Sequence, residues 1–434
     1  MYQFFLVRAC VPVSSYCRVL LSCLLLVGSA LPAFAQKSAE TLTLQEAIER
    51  ASSFSPKLHS ARAGVDAARG SEVQAGLLPN PTASIEVENF GGTGSFGGLR
   101  DTETTLSASQ LIELGGKRGA RQDAASAQRR MAELEADTSR FDLVRDVTIA
   151  YFEAIAAEEN LKLATELEAT ARRALEAVTR RVNAARDPLY QRSRAEVALT
   201  NATISRQHAA NAATAAQQKL AQFWGGTDLA DKLASEAFFV AEPAPAFESL
   251  EARLRDSPDL RRLDVLKRAR AAELRLAEAG AVPDVTVRAG ARRLQASRDT
   301  AFVAGISIPV PIFNQNQGEI TRAGAEVTRA VRDRQQAGLD RAKDLIDAWT
   351  QWRTSWTEGD SLKRKALPDA ERAYAQVLAG YRAGAFEYLE VLDTQRTLFE
   401  TRNAYIAALS RLQAARAQVE RLTATDAANP EIVP

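Results

Sequence analysis

The chain has 434 residues, enough for two or three ordinary domains or one elongated one. Lys and Arg number 55 against 54 Asp and Glu, a formal charge of +1, and nothing in that balance points to nucleic acid. No segment after the first 35 residues holds 18 consecutive apolar residues, which excludes transmembrane helices from the rest of the chain.

Residues 1–35 read as a secretory signal peptide. Arg8 and Arg18 supply the basic start, VLLSCLLLVGSA the apolar run, and Ala33-Phe34-Ala35 the cleavage signal before Gln36. Leu20-Leu21-Ser22-Cys23 faintly resembles a lipoprotein box, but LLLV follows the cysteine where a lipidated chain should turn polar. All three cysteines lie in this leader. The processed chain would hold none, with His59, His208 and Met131 as its only soft-metal ligand types. It enters a compartment that permits disulfides and uses none. The leader carries two positive and no negative charges, so its removal leaves 53 basic against 54 acidic residues.

Thr43-Leu44-Gln45-Glu46 forms a capping box that opens a first helix. Ser55-Pro56 reads as an N-cap followed by proline at the first helical position, and Ser257-Pro258 repeats it. Two alternating segments follow the first of these. TASIEVENF (82–90) sets Ala83, Ile85 and Val87 against Ser84, Glu86 and Glu88, and TETTLSASQLIEL (102–114) completes the pair across a glycine-rich turn. In the second half DVTVRAGAR (284–292) and AFVAGISIPVPI (301–312) form the corresponding pair. Between proline breaks, the windows 117–187 and 315–384 are rich in Ala, Arg, Glu and Leu and predict very long helices. Continuous helix over 67–70 residues would reach ~100 Å. Pro368 predicts a kink or irregularity in the second window. Apolar residues recur by sevens at Val391, Leu398, Tyr405, Leu412 and Val419, a seam for an antiparallel neighbour.

The halves repeat. Ser55-Pro56 matches Ser257-Pro258 and Pro81 matches Pro283 at one offset; Ala185 falls on Gly384 and Tyr151 near Trp349 at a slightly shorter one. We therefore read residues 36–222 as a first repeat, with its strand pair at 82–112 and a helical hairpin tip near 183–190. Residues 223–256 read as a linker, 257–423 as a second repeat with strands at 284–312 and a tip near 381–388, and 424–434 as a flexible tail. A soluble helical bundle would explain the helix stripes equally well, and a soluble sheet could bury its apolar face on helices. The chain order favours strands at the far end of long helices. Four strands cannot close a barrel, and open edges are not tolerated in hydrocarbon, so several chains would have to pool them; three chains would give twelve.

These pieces resemble the outer-membrane factors of the TolC family, specifically the branch paired with heavy-metal efflux pumps (CzcC/CusC-like). TLTLQEAIERASSFSPKL, LLPNPTASIEVEN, QLIELGGKRGAR, VPIFNQNQGEI and YRAGAFEYLEVLDTQRTL carry the similarity, in order and over nearly all of the processed chain. ELGGKR and IFNQNQGEI are the main pointers to the metal branch. The resemblance implies a mainly α protein with a small β part. Long antiparallel helical hairpins form a periplasmic α-barrel, and four strands per chain are pooled into a trimeric 12-stranded outer-membrane β-barrel. It implies a homotrimer in the outer membrane of a Gram-negative cell, contacting outer-membrane lipid and docking a periplasmic adaptor (membrane fusion protein) at the hairpin tips, with an inner-membrane RND transporter beyond. The linker, with residues 36–54 and part of the tail, would form an equatorial collar. It implies a passive exit duct without catalysis, cofactor or resident metal, probed against two alternatives: a TolC-like duct for drugs or secreted proteins, and a soluble periplasmic coiled-coil adaptor or scaffold. The residues agree with a duct, since neither histidine has a partner in sequence that would make an acid–base or metal site.

By the same resemblance the periplasmic constriction falls on Tyr381, the turn glycine Gly384, and the acids Glu390 and Asp393. Positions i and i+3 share a helix face, so three copies would stack two carboxylate rings at a narrow mouth, concentrating cations. Glu387 would only complement the helix N-terminus. The arginine that the family's best-known members place two positions after the turn glycine is Phe386 here, and its partner acid falls on Gln191. The familiar salt-bridge lock is therefore not expected; any lock here would be apolar or use other groups, with Arg382 and Asp187 as the candidates.

Overall fold

The structure is a computed structural model that describes residues 41–227 and 232–424. The signal peptide, residues 36–40, four residues of the linker and all but the first residue of the tail lie outside the described residues.

Strand β1 (Thr41–Leu42) leads into helix α1 (Leu44–Phe54), where Thr43 and Glu46 close the capping box reciprocally. Helix α2 (Pro56–Ala75) is capped by Ser55, whose hydroxyl accepts from the Leu58 N–H. Strands β2 (Thr82–Glu88) and β3 (Glu103–Ile112) follow. Helix α3 (Lys117–Asn183) then runs unbroken for 67 residues, ~100 Å. Helix α4 (Leu189–Ala221) returns alongside it. A two-residue strand β4 (Lys232–Leu233) pairs in parallel with β1, and α5 (Phe247–Arg255) closes the linker.

The second half has α6 (Pro258–Gly280), β5 (Val285–Leu294), β6 (Thr300–Ser307), α7 (Gln317–Ser361), α8 (Leu367–Ala383) and α9 (Tyr388–Thr423). Between α7 and α8 the residues Leu362–Ala366 form a π-helical turn. Pro368 has no N–H to give the carbonyl one turn back, and the wider turn accommodates that loss without ending the helix. Strand β6 ends at Ser307, short of the expected 312, because Pro309 and Pro311 cannot donate to a ladder. Ser257 occupies the N-cap position of α6, but its buried hydroxyl makes no cap bond, contrary to the sequence reading.

Structural details repeat at similar offsets. Gly116 (φ 74°) and Asn316 (φ 59°) take the left-handed conformation ahead of α3 and α7. Tyr151, near the middle of α3, and Trp349, in the C-terminal third of α7, both reach linker-side carbonyls. The Tyr151 hydroxyl lies 2.8 Å from Leu42 O and 2.9 Å from Ala234 O, and Trp349 Nε1 donates to Pro245 O at 2.9 Å.

The main cores sit around these anchors. One gathers Leu42, Ile48, Val147, Tyr151, Ile155, Leu220, Phe238 and Leu409; the other Leu250, Leu254, Leu260, Leu345, Trp352, Leu412 and Val419. Leucine-sized side chains fully buried in this way contribute roughly 1.5–3 kcal/mol each, so short linker elements hold firmly to the long helices. Arg421, buried near the end of α9, joins them electrostatically: it donates to Asp142 on α3 and to Asp259 on α6, both at 2.7 Å. Burial alone would raise the Asp259 carboxyl, but the Arg421 contact outweighs it and holds the pKa low.

Candidate functional site

The four larger strands form one antiparallel sheet in the order β2-β3-β5-β6. Its register aligns Ile85, Leu106, Ala291 and Phe302 in one row, and Ala83, Ala108, Ala289 and Ala304 in another. This face looks outward: Ile85 is 72% exposed, Ile306 71% and Phe302 92%. The opposite face is polar and internally bonded. Arg292 reaches Glu103 at 2.7 Å and Glu88 at 3.1 Å, Arg288 lies 3.8 Å from Glu86, and the Ser84 and Ser107 hydroxyls meet at 2.9 Å. Alternation of period two thus produced a sheet with its polar face ion-paired and its apolar face bare, the inverse of a soluble sheet packed on helices. Strands β2 and β6 each have one unpaired edge within the chain. Lys117 and the Leu114 N–H both bond Asp284 Oδ1, tying the two halves together at the base of the sheet.

At the other end of α3 the two helical hairpins turn. Helix α8 ends on Gly384 (φ 83°), with Gly384 N donating to Tyr381 O at 3.0 Å and Ala385 N to Gly380 O at 2.9 Å. The first hairpin makes the same pair of bonds, from Ala185 N to Val182 O and from Arg186 N to Arg181 O, both 2.9 Å. This is the Schellman ending that a left-handed residue makes possible. In the first tip that residue is Ala185, at φ 55°.

Beneath the turns, Val178 and Ala195 from the first hairpin pack with Tyr381, Tyr388 and Val391 from the second. Arg181 grips Asp187 with two parallel bonds, Nε to Oδ2 at 2.8 Å and Nη2 to Oδ1 at 2.9 Å. Its guanidinium lies 4.8 Å from the centre of the Tyr381 ring, and the Tyr381 hydroxyl donates to Asp187 Oδ2 at 3.2 Å. The Arg181 hydrogen bond holds the Asp187 carboxyl below the usual range. Burial, reinforced by the Asp187 charge, pushes the Tyr381 phenol up to about 12. Tyr388 is pushed to about 12 by burial, and its hydroxyl has no hydrogen-bond partner.

The structure therefore joins two of the residues singled out from sequence, Tyr381 and Asp187, and adds Arg181, which the sequence reading missed. The signal for Arg181 was an arginine and an acid six positions apart across a helix end, legible only once the turn was known. Gln191 is buried with an unpaired Oε1 and takes no part in this contact. Phe386 folds back over Gly380, where a Cβ would overlap its ring. Arg382, Glu387, Glu390 and Asp393 are exposed. Glu387 stands at the N-cap of α9 without a side-chain bond, and Glu390 and Asp393 follow on its first two turns. Among the described residues no group of three or more His, Cys, Asp or Glu could hold a metal ion, and no helix is long and apolar enough to cross a membrane.

Long helical hairpins that carry, at one end, an antiparallel sheet with an outward apolar face fit a membrane-seated channel protein. The family model described as outer membrane efflux protein matches residues 47–226 and 250–425. The cobalt-zinc-cadmium resistance protein CzcC of Cupriavidus metallidurans is 31% identical over 396 residues, covering 91% of this chain and 93% of that protein. The nickel-cobalt-cadmium resistance protein NccC of Alcaligenes xylosoxydans xylosoxydans is 27% identical, covering 70% of this chain and 68% of that one. In fold, the chain is similar to the open state of the MtrE outer membrane channel of Neisseria gonorrhoeae, with a TM-score of 0.73 and 21% identity over 88% of this chain and 89% of that one. The chain belongs to the outer membrane efflux protein family. It is an efflux channel of the Gram-negative outer membrane with a long periplasmic extension, which removes the soluble-scaffold alternative.

Proposed function

We propose that three copies of this chain form the exit duct of a tripartite RND-type pump that exports heavy-metal cations. The observation that carries the reading is the four-stranded sheet with a bare apolar face and two free edges. Unpaired backbone groups cost several kcal/mol each in hydrocarbon, so β6 of one copy must meet β2 of the next. Three such sheets close into twelve strands, with polar faces lining the lumen and Ile85, Phe302 and Ile306 against lipid. The cargo assignment draws on the resistance proteins to which the chain is similar, CzcC and NccC.

The duct is passive: it carries no catalytic site, and selectivity for the metal resides in its partners, a periplasmic adaptor at the hairpin tips and an inner-membrane RND transporter. Residues 36–222 and 257–423 are the duplicated halves, and 223–256 contributes the collar. The tip is the periplasmic gate. Tyr381 and Gly384 shape it, and Glu390 and Asp393 supply stacked rings of carboxylates that gather cations at the mouth. The Asp187–Tyr381 contact, steadied by Arg181, takes the place of the salt-bridge lock that Phe386 and Gln191 do not provide.

The test is deletion of the gene in its own host, with complementation. Hypersensitivity to cobalt, zinc or cadmium that the full chain restores, with a heat-modifiable trimer in the outer membrane, is the expected result. Hypersensitivity confined to drugs, or a failure of protein secretion, would overturn the metal cargo; recovery of monomer alone would overturn the trimeric duct.

A further inference from the structure

On the outward face of the sheet every position but one is uncharged. The exception is Arg293, which sits in register between Thr104 on β3 and Thr300 on β6. That row lies at the end of the sheet away from the helices, next to the β5–β6 turn that holds Arg298. The contrast with the lumenal face is direct. Arg288 and Arg292 each have carboxylate partners within 3.8 Å, whereas Arg293 makes one long bond, Nη1 to Thr300 Oγ1 at 3.4 Å, and no ion pair among the described residues. It is exposed, as are both flanking threonines.

An unpaired guanidinium on a lipid-facing surface is costly at the bilayer centre and tolerable only where it reaches the headgroups. With the helices in the periplasm, this row faces the outer leaflet, whose headgroups are phosphorylated glycolipids. A planar guanidinium flanked by two hydroxyls matches a phosphate on a sugar: the forked donors bind the phosphate oxygens, and the threonines bond the sugar or the remaining oxygen.

Resting on the reading that this sheet crosses the outer membrane, we propose that Arg293, with Thr104 and Thr300, docks the phosphorylated glucosamine headgroup of an outer-leaflet glycolipid. Each copy of the chain offers one such site, just outside the apolar band of Ile85, Leu106 and Phe302.

The test uses the full chain purified from outer membranes, stripped of lipid and offered diphosphoryl lipid A, fully dephosphorylated lipid A, phosphatidylglycerol or phosphatidylethanolamine, with retention read by native mass spectrometry. Diphosphoryl lipid A should be retained in preference to the other three. Arg293→Gln should weaken its retention about fivefold per site, Arg293→Lys should restore only the charge-dependent part of it and fall between the two, and the lumenal control Arg288→Gln should change nothing. Equal retention of dephosphorylated lipid A, equal retention by Arg293→Gln, or the same Arg293 dependence with phosphatidylglycerol would overturn the assignment. Heat-modifiable assembly and channel conductance of Arg293→Gln are scored separately. If both persist while lipid A retention shows no dependence on Arg293, the glycolipid site fails and the duct stands; if both are absent from the wild-type chain, the duct itself fails.

Discussion

Asp187 and Tyr381, 194 positions apart, meet at 3.2 Å where the two hairpins of the chain turn. The contact is partly buried at the tips and braced by Arg181, which binds the carboxylate through two nitrogens and covers the tyrosine ring. The first hairpin is thereby tied to the second by one acid and one phenol.

Loosening that tie should loosen the tip. Tyr381→Phe removes one rather long hydrogen bond and should cost about 1 kcal/mol locally. Arg181→Ala strands a carboxylate with little exposure and should cost about 2–3 kcal/mol. Hydrogen exchange of the tip amides should accelerate in that order, and channel open probability in planar bilayers should rise with it. Unchanged exchange in Arg181→Ala would show that the apolar cluster holds the tip without the polar contact.

The same contact sets a pH window. The Asp187 pKa is lowered in the fold, so its stabilisation is present above the ordinary aspartate value of about 3.9 and is lost as pH falls through the folded value below that. The Tyr381 pKa is raised to about 12, so its contribution is full below the ordinary tyrosine value of about 10 and is lost as pH rises through about 12. Tip protection should therefore be flat between about pH 5 and 9 and fall outside both limits. In Asp187→Asn the acid-side loss should disappear.

The matched turns give opposite predictions for the same pair of residues. Ala185 pays the steric cost of a left-handed conformation that Gly384 avoids. Ala185→Gly should stabilise the first tip by about 1 kcal/mol, slowing exchange at the Arg186 amide about fivefold. Gly384→Ala should destabilise the second tip by about 1–2 kcal/mol and speed exchange at the Ala385 amide.

The two Ser-Pro starts separate in the same way. Ser55→Ala removes a working cap and should cost about 1 kcal/mol. Ser257→Ala deletes a fully buried hydroxyl that has no partner and should be neutral or mildly stabilising. Thermal unfolding of the two variants in one detergent decides it; equal losses would mean that Ser257 caps its helix in the assembled protein.

Glu390 and Asp393 are exposed within the chain and one turn apart on α9. If they form the mouth rings, the double variant Glu390→Ala/Asp393→Ala should lose most of the block of conductance by divalent and trivalent cations, and added salt should mimic the loss. Undiminished block would remove them from the mouth.

Local chemistry carried much of this molecule into the sequence. The Thr43–Glu46 capping box, the unbroken α3, the irregularity ahead of Pro368 and the period-two faces of the strands each depend on neighbours within a few residues, so they could be read before any tertiary contact was known. Errors of the same local kind were small: β6 stops at Ser307 because two prolines follow, and Ser257 takes the cap position without the bond. Family membership was legible for a related reason: the stretches that carry the resemblance are runs of adjacent residues, and the family model matches both halves of the chain.

What only the tertiary structure decided are contacts whose partners lie far apart in the chain. Nothing near Arg181 announces Tyr381, and nothing near Arg421 announces Asp259; each pairing exists because antiparallel helices bring distant turns to one level. The contrast between Arg292, paired with two acids, and Arg293, adjacent in sequence and without an ion pair among the described residues, belongs to the same class. Alternation sends neighbouring side chains to opposite faces of a strand, but only pairing with β3 shows which face holds the carboxylates.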